Sequence, residues 1–179
     1  LQRDAFARIF ETISRIYGMD NYTEVTLEAN PDDLSTEYLN SLSGLPFNRI
    51  SIGIQTFSDD ILTLLNRRHT SRQAIDAVHN CRQSGFRNIS IDMIYGLPGQ
   101  SVTDWEYDLD IATSIKPEHI SAYHLIYEED TVLHKMLQDN KIAETDEEES
   151  NQFFSILIDK LKHSGYEHYE ISNFCMPGY

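Results

Sequence analysis

Two segments alternate isoleucine with small or polar residues, which is typical of a β-strand whose two faces differ. Residues 49–55 read Arg-Ile-Ser-Ile-Gly-Ile-Gln, and residues 88–95 read Asn-Ile-Ser-Ile-Asp-Met-Ile-Tyr. Because side chains of a strand alternate between its faces, the isoleucines share one face. The other face carries Ser51, Gly53 and Gln55 in the first segment, and Ser90 and Asp92 in the second. A parallel strand buried on both sides would be apolar throughout, so the pattern predicts strands that line a polar hollow.

Strands and helices are predicted to alternate along the first two thirds of the chain. Further strands are expected at 24–30 and 120–127. The helices between them carry start signals, which include Ser58 and the capping pairs Thr70-x-x-Gln73 and Ser101-x-x-Asp104. Alternation of this kind indicates βα units around a parallel sheet. Four such strands are too few to close a barrel, so we predict an α/β fold built as a partial TIM-like (β/α) barrel.

The pattern changes after residue 127. Two helices are predicted at 131–140 and 146–164, and one extended segment follows through Tyr169 to Phe174. We therefore divide the chain into a partial barrel at 1–127 and the start of a small α+β extension at 128–179.

Charge and cysteine content exclude several classes of protein. The chain has 14 basic and 29 acidic residues, for a formal net charge of −15. Such a surface repels phosphate backbones, so we expect no nucleic-acid partner. No apolar run approaches the length of a membrane span. The two cysteines, Cys81 and Cys175, match neither a disulfide framework nor a zinc motif, which favours a reducing, cytoplasmic setting.

Candidate functional residues lie where the predicted strands end, because parallel βα folds bind ligands at the carboxyl ends of their strands. These residues are Glu28, Gln55, Asp92 and the region 124–126. Any one of them could instead cap a loop amide, but several on one rim favour a site. Arg67 follows a short helix, where most arginines are solvated. Beside an acidic rim, its guanidinium could clamp a carboxylate or phosphate.

Other chemistries have less support. The turn Gly-Leu-Pro-Gly-Gln-Ser at 96–101 lacks the Gly-Lys-Ser/Thr of a P-loop, so a plain strand-to-helix loop is its default interpretation. The sequence contains no Gly-x-Ser-x-Gly motif and no His-Glu-x-x-His spacing. One alternative stays open, which is a metal-dependent (β/α) barrel lyase or hydrolase using Glu28, Asp92 and His124.

Six longer motifs together resemble one family in order and spacing. They lie at 28–31 (Glu-Ala-Asn-Pro), 49–57, 65–70, 91–100, 119–123 and 166–174. They resemble the radical S-adenosylmethionine (SAM) group that contains oxygen-independent coproporphyrinogen III oxidases and HemW-type heme chaperones. The ending Tyr-Glu-His-Tyr-Glu-Ile-Ser-Asn-Phe is more similar to the HemW branch. The resemblance covers nearly the whole chain.

The resemblance implies a fold, two cofactors and a set of contacts. The family's incomplete barrel holds a 4Fe-4S cluster and SAM at its top, and an electron from the cluster cleaves SAM to a 5′-deoxyadenosyl radical. By position, Glu28, Gln55 and Asp92 match residues that serve the ribose hydroxyls or the ammonium group of SAM. Arg67 matches a partner of the methionyl carboxylate, and Ile126 a position that contacts SAM through its backbone.

The implied partners are heme or porphyrin and an electron donor for the cluster. A HemW-like protein binds heme for delivery to apoproteins. The alternative is a coproporphyrinogen III oxidase, which decarboxylates two propionates to vinyl groups. The resemblance leaves open whether the protein is an enzyme.

One departure from the family is serious. The family holds its cluster with Cys-x-x-x-Cys-x-x-Cys after its first strand, and this chain has no such motif. Cys81 and Cys175 are far apart in sequence and fall on predicted core elements. We therefore expect a fragment that starts near the family's third strand, also lacks the C-terminal region, and holds no cluster alone. Residues 24–30 would then form an exposed sheet edge, prone to pairing with another chain.

Overall fold

A computed structural model describes residues 1–20 and 23–179, and it contains the alternating strands and helices that the sequence predicts. The strands are β1 (Thr26–Ala29), β2 (Arg49–Gln55), β3 (Ile89–Tyr95), β4 (His119–His124), β5 (Glu167–Glu170) and β6 (Asn173–Cys175). The helices are α1 (Arg3–Tyr17), α2 (Thr36–Ser41), α3 (Asp59–Leu64), α4 (Ser71–Gln83), α5 (Val102–Ser114), α6 (Val132–Gln138) and α7 (Glu147–His163). A short 3-10 helix covers Pro31–Asp33.

The strands form one sheet in the order β1-β2-β3-β4-β6-β5. Strands β1 to β4 are parallel neighbours in chain order, whereas β6 runs antiparallel to both β4 and β5. The register sets polar inward-facing positions side by side: Gly53 lies opposite Asp92, and Asp92 lies opposite Ser121. Consequently, the polar faces predicted for two separate strands merge into one polar surface.

The opposite face of the sheet is the hydrophobic core. Five isoleucines of β2 and β3 are fully buried there, beneath apolar side chains of α4 and α5: Ile50, Ile52, Ile54, Ile89 and Ile91. Ile94 of β3 differs from the predicted pattern, since by strand alternation it lies on the polar face, where it is only partly buried. Trp105 of α5 is also fully buried, and its indole N–H donates to the Phe153 carbonyl of α7 at 3.1 Å. Each large side chain buried here contributes about 1.5–3 kcal/mol. In the part of the chain that the structure describes, helices thus cover one face of the sheet, as the partial-barrel prediction requires.

The helix start signals are confirmed. The Ser58 side chain accepts from the Ile61 N–H at the start of α3. Complete capping boxes open α4, where Thr70 pairs with Gln73, and α5, where Ser101 pairs with Asp104. These bonds satisfy amide groups that have no partner within the helix. They fix where each helix begins relative to the strand before it.

Two strand ends and the last segment differ from the prediction. The strand expected at 24–30 is shorter, because Pro31 has no amide hydrogen to continue the ladder. The strand expected at 120–127 ends at His124, and only the Leu125 N–H still bonds back, to the Tyr95 carbonyl at 2.9 Å. The single final segment is a hairpin of two strands, since Glu170 accepts from the Ser172 N–H and stabilises a turn.

The division at residues 127 and 128 remains a prediction. Strand β6 pairs with β4, so the sheet continues across the boundary. Phe153 and Leu157 of α7 belong to the same hydrophobic cluster as the barrel strands. Within residues 1–20 and 23–179, no helix combines the length and apolar character that a membrane crossing demands.

Candidate functional site

The uncovered face of the sheet borders a hollow of about 750 Å³. Glu28, Gln55, Asp92 and Ile126 all line this hollow. A second cavity of about 310 Å³ shares Glu28, Gln55 and Asp92 with it, and adds Arg67. The structure therefore brings together all five residues that the sequence singled out.

Asp92 lies at the centre of the polar face. The Ser51 hydroxyl donates toward its carboxylate, 3.4 Å from both oxygens. Burial raises the pKa of Asp92, and the nearby Glu28 raises it further; hydrogen bonds from Ser51 and Ser121 and the charge of Arg49 oppose this rise. An acidic group held among hydroxyls can accept hydrogen bonds from a ligand and attract a ligand cation.

Gln55 has an unusual backbone. Its φ is +73°, in the left-handed region, and the β2–β3 register shifts between Gly53 and Gln55. A bulge of this kind changes the direction of a side chain at the end of a strand. Gly53 leaves the space that this arrangement needs, because a Cβ there would lie 3.0 Å from Gln55 Nε2 and 3.1 Å from Arg67 Nη2.

Arg67 reaches the site from the loop after α3. Its Nη2 donates to Asn30 Oδ1 at 2.8 Å and to the Gly53 carbonyl at 2.7 Å. Both hydrogens of Nη2 are thereby used, and the guanidinium has three further N–H donors on Nη1 and Nε. The neighbouring Arg68 differs, since it is largely exposed and pairs with Asp32 at 2.9 Å. Arg67 is thus held in the lining of the site with donors that Asn30 and Gly53 do not use, whereas Arg68 is a surface ion pair.

Glu28 and Ile126 lie on opposite sides of the hollow. Glu28 is exposed on β1, opposite Ser51 in the register. Ile126 lies beyond the end of β4, and its side chain is 74% exposed. Neither side chain contributes to the core, so both are free to contact a ligand.

Sequence reasoning gave no role in the site to two buried titratable groups. Asp108 of α5 is 2% exposed and lies beneath the loops that follow β2 and β3. Its signal in the sequence was a lone acid on the apolar face formed by Trp105, Leu109 and Ala112. His119 of β4 faces the hollow, where its ring nitrogens bond the Ser90 hydroxyl at 2.9 Å and the Tyr169 hydroxyl at 2.8 Å.

The donor set fits SAM, the first cofactor that the resemblance implies. Carboxylates and an amide surround the hollow and can bind hydroxyl and ammonium groups. Arg67 offers a carboxylate its positive charge and the N–H groups of Nη1 and Nε. Gly53 keeps open the space beside both Gln55 and Arg67. Because these features occur at one edge of the sheet, a charged, polar cofactor of this kind matches the site.

The residues present do not fit the second implied cofactor, a 4Fe-4S cluster. Burial raises the pKa of Cys81 to about 12, so this thiol stays protonated in the core. Cys175 is buried on β6. Across the described part of the chain, no three His, Cys, Asp or Glu side chains gather as metal ligands. His124 also bonds the Leu125 carbonyl at 2.8 Å and the Ser150 hydroxyl at 2.9 Å, which disfavours the metal-dependent alternative.

Comparisons with known proteins agree with this geometry. The family model for the radical SAM superfamily matches residues 1–112. The heme chaperone HemW of Bacillus subtilis (strain 168) is 35% identical over 179 residues, which cover 99% of this chain and 47% of that protein. The mitochondrial radical S-adenosyl methionine domain-containing protein 1 of Danio rerio is 32% identical over 173 residues, or 97% of this chain and 39% of that protein.

The fold has a counterpart among solved structures. The coproporphyrinogen III oxidase HemN of Escherichia coli, a radical SAM enzyme, superposes with a TM-score of 0.85 at 22% identity. The superposition covers 100% of this chain and 41% of that one, and it confirms the fold class. This chain spans less than half the length of each of these proteins. The chain belongs to the radical SAM superfamily.

Proposed function

We propose that this chain supplies the SAM-binding side of a HemW-like radical SAM protein, which binds heme in its full-length form. The observation that carries the proposal is the convergence of Glu28, Gln55, Arg67 and Asp92 on one hollow at the carboxyl edge of four parallel strands. Similarity to HemW proteins along nearly the whole chain supports the heme chaperone branch.

In this proposal each residue has a role that its chemistry suits. Arg67 binds the methionyl carboxylate of SAM through the N–H groups that Asn30 and Gly53 do not use. The carboxylates of Glu28 and Asp92 and the amide of Gln55 bind the ribose hydroxyls or the ammonium group. The backbone at Ile126 contacts SAM on the side of the hollow opposite Glu28. Beside a reduced iron–sulfur cluster, bound SAM supplies radical chemistry.

The test of the SAM site is a matched pair of arginine substitutions in the full-length protein. Arg67→Lys removes the planar guanidinium that Asn30 and the Gly53 carbonyl hold in place, and leaves a mobile point charge, so we expect SAM binding to weaken about tenfold. Arg68→Lys makes the same chemical change one residue later, on the surface, and is expected to leave SAM binding unchanged. Equilibrium dialysis with labelled SAM measures both. Equal effects of the two substitutions would refute the assignment of Arg67.

The structural similarity to HemN favours a second candidate, an oxygen-independent coproporphyrinogen III oxidase. Offering heme and coproporphyrinogen III to the full-length protein separates the two functions. A chaperone binds heme and leaves coproporphyrinogen III unchanged. With an electron acceptor present, an oxidase converts two propionates to vinyl groups, which mass spectrometry detects as loss of carbon dioxide and two hydrogens from each propionic acid side chain.

The cellular setting is also part of the proposal. Cys81 and Cys175 are both unpaired thiols, which agrees with a reducing cytoplasm. An electron donor for the cluster is required by radical SAM chemistry. Fractionation of cells that express the full-length protein, followed by its detection in the cytoplasmic fraction, tests this setting.

A further inference from the structure

Asp108 connects the helical layer to the backbone that follows Gln55. Its Oδ2 accepts from the Thr56 hydroxyl at 2.7 Å, and its Oδ1 accepts from the Phe57 N–H at 2.8 Å. Thr56 and Phe57 are the two residues directly after Gln55, and both are buried. The carboxylate thus holds the chain at the point where β2 ends.

The same carboxylate also reaches the turn after β3. Gln100 Nε2 donates to Asp108 Oδ2 at 3.5 Å, while Gln100 Oε1 accepts from the Leu97 N–H at 3.3 Å. Leu97 lies in the turn that follows Tyr95, the last residue of the strand that carries Asp92. One buried carboxylate therefore connects the loops that follow two neighbouring strands of the site.

The backbone at Gln55 needs such support. A non-glycine residue with a φ of +73° is uncommon, and such conformations persist where surrounding contacts impose them. Upstream, Arg67 fixes the Gly53 carbonyl at 2.7 Å. Downstream, Asp108 fixes Thr56 and Phe57. Gln55 lies between these two anchors, one on each side of the bulge.

We propose that Asp108 is a positioning residue for the SAM site, which holds Gln55 in its left-handed conformation through Thr56 and Phe57. The inference rests on the proposed function, because Gln55 is a SAM contact only within that proposal. Asp108 itself does not line the hollow.

Protonation of Asp108 provides a specific signature. Burial raises its pKa to about 6; hydrogen bonds from Thr56 and Phe57 oppose this, and the charge of Asp104, one turn earlier, adds to it. No described Lys, Arg or His forms an ion pair with Asp108, and the groups that face it from the two loops are neutral donors. A protonated carboxyl must place its own hydrogen among donors, so it holds the loops less well.

The experiment measures SAM binding by the full-length protein with its cluster reconstituted. Asp108→Asn keeps the size of the side chain but turns an NH₂ toward one of the donors. We expect SAM binding about tenfold weaker than wild type at about pH 8, the effect of one unsatisfied buried hydrogen bond. The difference should shrink below about pH 6, where the wild-type carboxyl is itself protonated. A folding defect unrelated to the carboxylate charge would instead weaken SAM binding equally at about pH 8 and below about pH 6.

Two further variants keep the test decisive. Thr56→Val removes one donor and leaves Asp108 in place, so it is expected to weaken SAM binding severalfold even if Asp108→Asn fails to fold. Asp110→Asn makes the same change on the exposed side of α5 and should have no effect. Wild-type protein that binds no SAM would refute the proposed function, and this inference with it. Wild-type binding that both Asp108→Asn and Thr56→Val leave unchanged would refute this inference alone.

Discussion

At the scale of single residues, backbone strain marks the site more clearly than side-chain chemistry does. Five described non-glycine residues have a positive φ. Asn66, Asp130 and Asn140 are types that tolerate the left-handed region, because their short side chains bond locally. Gln55 and Lys116 lack that property, and of these two only Gln55 lies at the end of a strand and lines the hollow. Strained backbone conformations of this kind cluster at binding and active sites, where they orient a side chain at a cost in folding free energy.

Substitutions at Gln55 separate strain from binding. Gln55→Ala keeps a Cβ in the left-handed conformation, whereas Gln55→Gly relieves it. The glycine variant is therefore expected to exceed the alanine variant by about 1 kcal/mol in free energy of unfolding. Both variants should bind SAM more weakly than wild type, since both lack the amide. Urea unfolding and dialysis measure the two quantities. Equal stability of the two variants would contradict the strain argument.

The sequence predicted individual site residues unequally. Glu28, Gln55 and Asp92 follow from strand alternation, since side chains on one face of neighbouring strands must converge. Arg67 required the family resemblance, because its position depends on how a loop folds and periodicity carries no such information. Asp108 was missed, although a lone acid on an apolar helix face pointed to a buried polar network. Its partners are amide and hydroxyl groups of loops, which only the structure brings together.

At the scale of elements, one strand edge and one apolar helix stripe are left uncovered by the described residues. Among residues 1–20 and 23–179, strand β1 pairs only with β2, so one of its edges is open. Helix α1 packs Phe6 and Phe10 against Phe47 but has no buried residue, and its Ile9, Ile13 and Ile16 are 44%, 37% and 60% exposed. Open edges and exposed apolar stripes both promote association between chains. The open edge would join chains through β1, and the apolar stripe would join them through α1, so substitutions in each element test them separately.

We predict that the 179-residue chain self-associates through β1. The Val25 carbonyl accepts from the Arg49 N–H at 3.3 Å, so by the alternation of the ladder the Thr26 N–H points to the open edge. Thr26→Pro removes that donor without breaking the β1–β2 ladder and should reduce association. Ile13→Lys on α1 is the control for the apolar helix face. Sedimentation velocity at several concentrations measures both. A concentration-independent monomer, or loss of association only in Ile13→Lys, would contradict the prediction.

The limits of element-level prediction have physical causes. Start signals were accurate because caps such as Thr70 and Ser101 act over three residues of sequence. Strand ends were less accurate, because pairing with a neighbouring strand decides them. The segment 120–127 illustrates this, since its last residues are apolar but have no neighbour to extend the ladder beyond His124.

At the scale of the whole molecule, a one-sided sheet provides both the hydrophobic core and the proposed binding site. Helices bury one face, and the other face is left polar and open to a ligand. This arrangement places titratable groups against the same sheet in different settings. His119 lies on the open face yet is only 9% exposed, and Asp108 lies in the helical layer at 2%. Burial acts on both, but with opposite sign, because one is charged when protonated and the other when deprotonated.

These two groups should oppose each other in the pH dependence of stability. Burial lowers the pKa of His119 to about 4, below its unfolded value near 6.5, so the free energy of unfolding falls as pH drops from 6.5 to 4. Burial raises the pKa of Asp108 to about 6, so the free energy of unfolding falls as pH rises from 4 to 6. Each effect is worth about 3 kcal/mol at most.

We expect His119→Gln to lose stability, relative to wild type, as pH rises through this window, and Asp108→Asn to gain it. Urea unfolding between pH 4 and 7 tests both, and variant curves parallel to that of the wild type would contradict the burial of these charges.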